Sequence, residues 1–280
     1  MSSGRLFVVA TPIGNLKDMS PRAVDVLRAA DLVAAEDTRH TRRLLAHFEI
    51  DTPLTSYHDH NEQTKTDSLV AEIRAGKDVA LVTDAGTPLV SDPGFRLVRA
   101  VQDANLPVLA VPGPSAVLAA LSVSGLPTDR FTFQGFFPRK SRAAESVMAE
   151  GARSSGTHVF FEAANRLTET LSVMARHAPQ GTEACVAREL TKVHEESRRG
   201  TLDELAIHYA DNPPRGECVI LLHFPSGASS KPARSAEEIR EMVESLMQSE
   251  NLSRRDAVRL LSSELGLPRN AVYAAARESK

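Results

Sequence analysis

Within the first 115 residues four short apolar runs each stop abruptly at a cluster of glycine, proline or acidic residues. Arg5–Ala10 ends in Thr11-Pro12-Ile13-Gly14-Asn15 and Leu32–Ala35 in Glu36-Asp37-Thr38-Arg39. Val79–Val82 ends in Thr83–Pro88 and Leu106–Val111 in Pro112-Gly113-Pro114-Ser115. A continuous apolar run bounded by turn formers suggests a buried strand. Helix-like segments lie between the runs. Ser20-Pro21 offers an N-cap and a first-turn proline for a helix to about Ala30, Glu62 to Ala75 is stopped by Gly76, and Asp92-Pro93 is expected to open another helix. Strands alternating with helices give a mostly parallel sheet with helices on its faces. Ligands of such sheets bind beyond the carboxyl ends of the strands, which is where these loops stand.

Ala80–Gly94, A-L-V-T-D-A-G-T-P-L-V-S-D-P-G, says most about function. Asp84 would present a carboxylate at a strand end, Gly86 lets backbone approach a ligand closely, and Pro88 stiffens the loop. The competing reading is a strand-to-helix connection whose aspartate merely caps the next helix.

After Gly125-Leu126-Pro127 the texture changes. Strands are expected at Phe131–Gly135, Thr157–Phe161, Glu183–Ala187 and Glu217–Phe224, with helices near 140–153, 165–177 and 201–210. A chain of 280 residues accommodates two domains and a small appendage. The partition expected is an α/β domain over 1–115, a second over 116–225, a linker over 226–236 rich in Ser, Gly, Pro and Lys, and a helical domain over 237–280. In that last segment Ser253 suits an N-cap, and Ala257, Leu260, Leu261 and Leu265 fall on one helical face.

Composition narrows the function classes. Hydrophobic content of 42% and charged content of 25% are those of an ordinary globular protein, and no apolar stretch approaches the roughly 18–20 residues of a membrane span. Met1 leads almost directly into a candidate strand with no signal-peptide core, so a cytoplasmic location is expected. Cys185 and Cys218, the only cysteines, sit in apolar runs as reduced core residues, and neither disulfide nor metal is expected. A net charge of −3 argues against nonspecific coating of nucleic acid but leaves room for local basic patches. G-x-G-x-x-G after the first strand, G-x-x-x-x-G-K-[ST], H-E-x-x-H and G-x-S-x-G are all absent.

Taken in order, V-A-T-P-I-G-N-L, A-A-E-D-T-R-H-T-R-R-L-L, S-Y-H-D-H-N-E, V-T-D-A-G-T-P-L-V-S-D-P-G, V-P-G-P-S-A, Q-G-F-F-P-R-K, F-F-E-A-A-N-R-L, R-E-L-T-K-V-H-E-E and R-G-E-C-V-I-L-L resemble the tetrapyrrole-methylase superfamily over residues 5 to about 224. Within it they resemble the bacterial branch that methylates the ribose 2′-hydroxyl of a decoding-centre cytidine in 16S rRNA, and the tail is similar to that branch's small helical domain. The resemblance implies a two-domain α/β class III methyltransferase fold with an inter-domain cleft, S-adenosyl-L-methionine as methyl donor, the small ribosomal subunit as partner, and a homodimer. It carries the donor's site onto Pro12, Asp84, Gly86, Thr87, Pro88, Ser115 and Ala116. A small tetrapyrrole substrate, or a non-catalytic ribosome-assembly factor, are the alternatives.

The proton acceptor is less constrained. Glu189 and Lys192 follow a strand of the second domain beside Arg188, and Glu162 ends another, so a lysine of depressed pKa or a carboxylate is a candidate base. Exposed ion pairing at strand ends explains the same residues equally well. For RNA the candidates are Arg39, Arg42 and Arg43, which also suit a solvated helix face, and Arg139 and Lys140 after Phe136-Phe137. Core burial is the preferred reading of both phenylalanines. His58, in a polar cluster with His60, Asn61 and Glu62, is either substrate-facing or part of a helix cap. The arginines of the tail, Arg254, Arg255, Arg259 and Arg269, suit ribosome docking and simple packing equally.

Overall fold

The computed structural model describes residues 3–225, 236–250, 252–265 and 269–276. They fall into two compact units, one within Met1–Ser226 and one within Gly227–Lys280. The first unit holds two five-stranded sheets.

The first sheet is built from β1 (Leu6–Val9), β2 (Leu32–Ala35), β3 (Leu54–Ser56), β4 (Val79–Val82) and β5 (Val108–Val111), all parallel, in the order β3-β2-β4-β1-β5. Its inner strands β1, β2 and β4 are apolar at successive positions because both faces are covered. Phe7, Val9, Val33, Ala35, Ala80 and Val82 cluster with Ala23 and Leu27 of α1 (Pro21–Ala29) and Leu45 of α2 (Thr38–His47). The alternate positions Leu6, Ala34, Val79 and Leu81 cluster with Leu69 and Ile73 of α3 (Glu62–Arg74) and Leu97 and Val101 of α4 (Phe95–Asp103). Local chemistry starts the helices: as expected, the Ser20 hydroxyl accepts from Ala23 N at 3.1 Å ahead of Pro21, and Asp37 accepts from Arg39 N at 2.7 Å.

The second sheet has the order β6-β7-β10-β8-β9, from β6 (Phe131–Phe136), β7 (Gly156–Ala163), β8 (Glu183–Arg188), β9 (Glu196–Thr201) and β10 (Glu217–Phe224). Only β6 and β7 are parallel; β10 runs antiparallel between β7 and β8. On one face Phe160, Val186 and Ile220 meet α6 (Ser141–Ser154), α7 (Ala164–His177) and α8 (Leu202–Asp211). On the other, Val159, Ala187 and Leu221 meet Val117, Ala120 and Leu121 of α5 (Ala116–Ser124). Cys185 and Cys218 are free buried thiols on opposite faces.

Several expectations are corrected. The helix expected at Asp92-Pro93 begins at Phe95, because Leu89 (φ 73°), Ser91 (φ 67°) and Gly94 (φ 135°) are left-handed and hold 84–94 as an irregular loop. β3 and β9 were not expected; both are sheet edges, and β9 is largely exposed and polar.

In the second unit α9 (Ala236–Ser249), α10 (Arg254–Leu265) and α11 (Arg269–Ala275) share a core of Ile239, Val243, Ala257, Val258, Leu261, Val272 and Ala276. Leu260 is exposed, its place on the buried face taken by Val258, and the side chain of Leu265 lies outside the description. The linker expected over 226–236 lies outside the described residues but for its last position. Among the described residues no helix is long and apolar enough to cross a membrane.

Candidate active site

The loops after β1, β4 and β5 are stitched together. Thr11 and Gly86 exchange backbone hydrogen bonds, Thr11 N to Gly86 O at 2.8 Å and the reverse at 3.0 Å, and the Thr11 hydroxyl donates to Thr83 O at 3.1 Å. Gly86 is left-handed (φ 91°), and a Cβ there would lie 3.3 Å from Ile13 Cγ2. The Thr87 hydroxyl donates to Pro114 O at 3.1 Å, joining that loop to the one that starts α5, where Ser115 is the N-cap.

Three carboxylates collect on this wall. Thr83 Oγ1 donates to Glu36 Oε2 at 2.7 Å, and Asp84 Oδ1 accepts from Asp37 N at 3.1 Å. Asp92 is the third. Burial pushes its pKa up to about 6; the Thr83 hydroxyl opposes that, and the charges of Glu36, Asp84 and Asp59 add to it.

The facing wall comes from the second sheet. Glu162, at the end of β7, has a side chain with no exposed surface and accepts from Ala163 N (2.9 Å), Arg166 Nη1 (3.0 Å) and Thr170 Oγ1 (2.6 Å). Beyond β8 the chain turns sharply, with Glu189 (φ 50°) and Thr191 (φ 66°) in left-handed conformations that ordinary residues adopt only when the surroundings enforce them. Lys192 Nζ reaches Glu189 Oε1 at 2.9 Å and Glu217 Oε2 at 3.1 Å. Burial pulls its ammonium down, but the hydrogen bonds and charges of those two glutamates outweigh it and leave the pKa raised. Glu189 is held below the usual glutamate range, chiefly by the Lys192 hydrogen bond. Of the two candidate bases, a lysine of depressed pKa is therefore overturned and the carboxylate stays open: two carboxylates, one of them 25 residues away in the chain, surround the ammonium and keep it charged.

Between these walls lies a cavity of about 440 Å³, within the range of small-ligand sites. It brings together Asp84, Gly86, Thr87, Ser115, Ala116, Glu162, Glu189 and Lys192 from the sequence-based candidates. Pro12 and Pro88 do not line it, while their neighbours Ile13 and Thr87 do. Glu36, Asp92 and Glu217 were missed as site residues. The rule that found Asp84, a carboxylate just past an apolar run, also selects Glu36; Asp92 was hidden by its resemblance to a helix start.

The cationic candidates lie outside the cavity. Arg39 forms an ion pair with Asp37 at 3.1 Å and, by hydrogen bonds from its side chain and backbone, lowers that carboxyl to about 2. Arg42, Arg43, Arg139 and Lys140 are exposed, with no acidic partner within 4 Å among the described residues. Phe137 is 2% exposed and belongs to the core, but Phe136 is 59% exposed and lines the cavity, correcting the expectation of burial for it. His58 is half-buried and turned to Asn61, which accepts from its backbone N at 2.9 Å. Among the described residues no group of three or more His, Cys, Asp or Glu is arranged to hold a metal ion.

Comparison with known proteins agrees with this architecture. Residues 5–206 match the family model of tetrapyrrole (corrin/porphyrin) methylases. Ribosomal RNA small subunit methyltransferase I of Synechocystis sp. is 46% identical over 272 residues, covering 96% of each chain. Proteins of that name from Pseudomonas aeruginosa (45% identical, 98% of this chain and 96% of the relative) and Escherichia coli O157:H7 (39%, 100% and 96%) are similar throughout. Among solved structures, diphthine synthase superposes with a TM-score of 0.61 at 16% identity, covering 79% of this chain and 90% of that one. Uroporphyrin-III C-methyltransferase from Thermus thermophilus gives 0.53 at 20%, covering 79% and 94%. At such identities the likeness speaks for the fold, an α/β class III methyltransferase fold. The chain belongs to the tetrapyrrole methylase family, alongside the relatives named ribosomal RNA small subunit methyltransferase I.

Proposed function

We propose that this chain transfers a methyl group from S-adenosyl-L-methionine to the ribose 2′-hydroxyl of a cytidine in the decoding centre of 16S rRNA, on the small ribosomal subunit. The reading includes a homodimer acting in the cytoplasm without a metal ion. The observation that carries it is a cavity in which a wall of carboxylates faces an ionised lysine–glutamate pair. The donor is cationic at its sulfonium and its α-amino group, which suits Glu36, Asp84 and Asp92, and Gly86 leaves space where a side chain would intrude. When bound, the donor supplies an activated methyl group for in-line displacement, its sulfur leaving with the electron pair.

The protein's own groups do the rest. Asp84 keeps Oδ2 without a protein donor among the described residues, so that oxygen can receive a polar group of the donor. Lys192 spends two of its three donors on Glu189 and Glu217, and the third can hold the acceptor oxygen and stabilise its developing charge. Glu189 Oε1 accepts from Lys192 and from Glu217 N at 3.2 Å, which leaves Oε2 to take the hydroxyl proton as the O–C bond forms. Glu162, with both oxygens engaged, braces the end of β7 through Arg166 and Thr170. Phe136 at the cavity wall offers a face to a base, and Arg42, Arg43, Arg139 and Lys140 offer charge to phosphates. Leu118 and Val123 on α5 and Leu109 on the edge strand β5 leave apolar surface for a second copy to cover.

The test is methyl transfer from labelled donor to small subunits lacking the modification, with the product nucleoside identified. The expected product is 2′-O-methylcytidine, and Lys192→Ala lowers kcat by roughly a hundredfold while donor affinity stays within about threefold. Label on a base, or none in RNA, overturns the reading.

A further inference from the structure

We propose that a second cavity beside the first seats a nucleotide adjacent to the one methylated, an inference that rests on the RNA-methylating reading above. This cavity, about 500 Å³, forms where the end of α8 and the loop Asn212–Arg215 face the β8–β9 connection. Glu189, just past the end of β8, lines both cavities, so a strand whose ribose sits at Lys192 can place its next nucleotide in the second by passing over that end of the sheet.

Its charges are arranged for an anion. Glu189 is neutralised by Lys192, and Glu196 by Arg188 at 2.6 Å and Arg198 at 3.3 Å. Arg215 has no acidic partner within 4 Å among the described residues, and neither do His194 and His208. One full positive charge and two imidazole rings therefore remain for a phosphate.

Its surfaces suit a base. The His208 ring stands edge-on to Tyr209, centroids 4.9 Å apart, and with Pro213 and Pro214 offers flat walls of the kind on which unpaired bases lie. Asn212 donates Nδ2 to His208 O at 3.0 Å, which leaves its side-chain carbonyl without a partner among the described residues. Tyr209 is 1% exposed, and its hydroxyl is buried with no hydrogen-bond partner. A dry, unpaired hydroxyl is costly, and on this proposal a nucleotide in the cavity that Tyr209 lines is its partner. Burial first, and then the Glu196 charge, pushes its pKa up to about 12, so the group remains a donor.

The experiment measures fluorescence anisotropy of a labelled single-stranded oligoribonucleotide spanning the methylated position, alongside kcat and KM for small subunits. Arg215→Ala and His208→Ala should each raise the RNA Kd and the subunit KM roughly five- to twentyfold, leaving kcat and donor affinity unchanged. Arg215→Ala should also lower the salt slope of binding by about 1. Tyr209→Phe should weaken RNA binding with Tm unchanged or higher. Arg99→Ala, an exposed cation on α4, serves as the control for general loss of charge and should stay within about twofold. Wild-type-like binding by Arg215→Ala and His208→Ala, or a loss no larger than that of Arg99→Ala, overturns the subsite. If wild-type protein methylates no RNA yet these variants lose oligonucleotide binding, the subsite stands and the reaction assigned to the first cavity falls.

Discussion

Asp92 is carried into the cavity by a loop whose neighbouring residues Leu89 and Ser91 are left-handed, and it lies near Glu36 and Asp84. Its pKa of about 6 in the fold exceeds its ordinary value of 3.8, so the folded chain holds this proton more tightly than the unfolded one. Stability is therefore lost as pH rises from about 4 through 6. Asp92→Asn should stabilise the protein by on the order of 1–2 kcal/mol at pH 8, with no gain near pH 4; thermal melts at the two pH values check this. Donor affinity should move the opposite way, rising in the wild type as Asp92 ionises and staying flat through pH 6 in the variant, by titration calorimetry. Identity is legible in a sequence at such positions, but charge state is not. Lys192 stands out from its neighbours in R-E-L-T-K, yet nothing local announces that Glu217 will arrive beside it.

At the scale of elements, the turn after β8 is shaped by what surrounds it. Gly216 is left-handed (φ 90°), and a Cβ there would run into the Glu189 carboxylate. Gly181 has a similar angle (φ 75°) with nothing within 4 Å of a Cβ. Gly181→Ala should thus report backbone strain alone, about 1 kcal/mol. Gly216→Ala should cost the same strain and also displace Glu189, lowering kcat while the first variant leaves it unchanged; melts and turnover on both variants separate the two effects. The buried strands of the first sheet were legible because both faces are covered, so Leu32–Ala35 is apolar at every position. β9, Glu-Ser-Arg-Arg-Gly-Thr, carries no such pattern, because an edge strand needs only one neighbour and keeps polar side chains in water.

Across the whole molecule the two sheets differ in how they close. The alternation of apolar runs and helices made the parallel sheet readable, but strand order in the second sheet depends on long-range pairing that no local pattern encodes. Its central strand, β10, is the last strand among the described residues and pairs with β7 and β8 along most of its length. Without it, β6–β7 and β8–β9 are separate ribbons. A chain ending at Ser226 should melt cooperatively, whereas one ending at Arg215 should aggregate; light scattering and calorimetry on both check this. The same insertion sets a schedule during synthesis. Until residues 217–224 leave the ribosome, the edges of Val159–Phe161 and Cys185–Ala187 stay open to any passing strand.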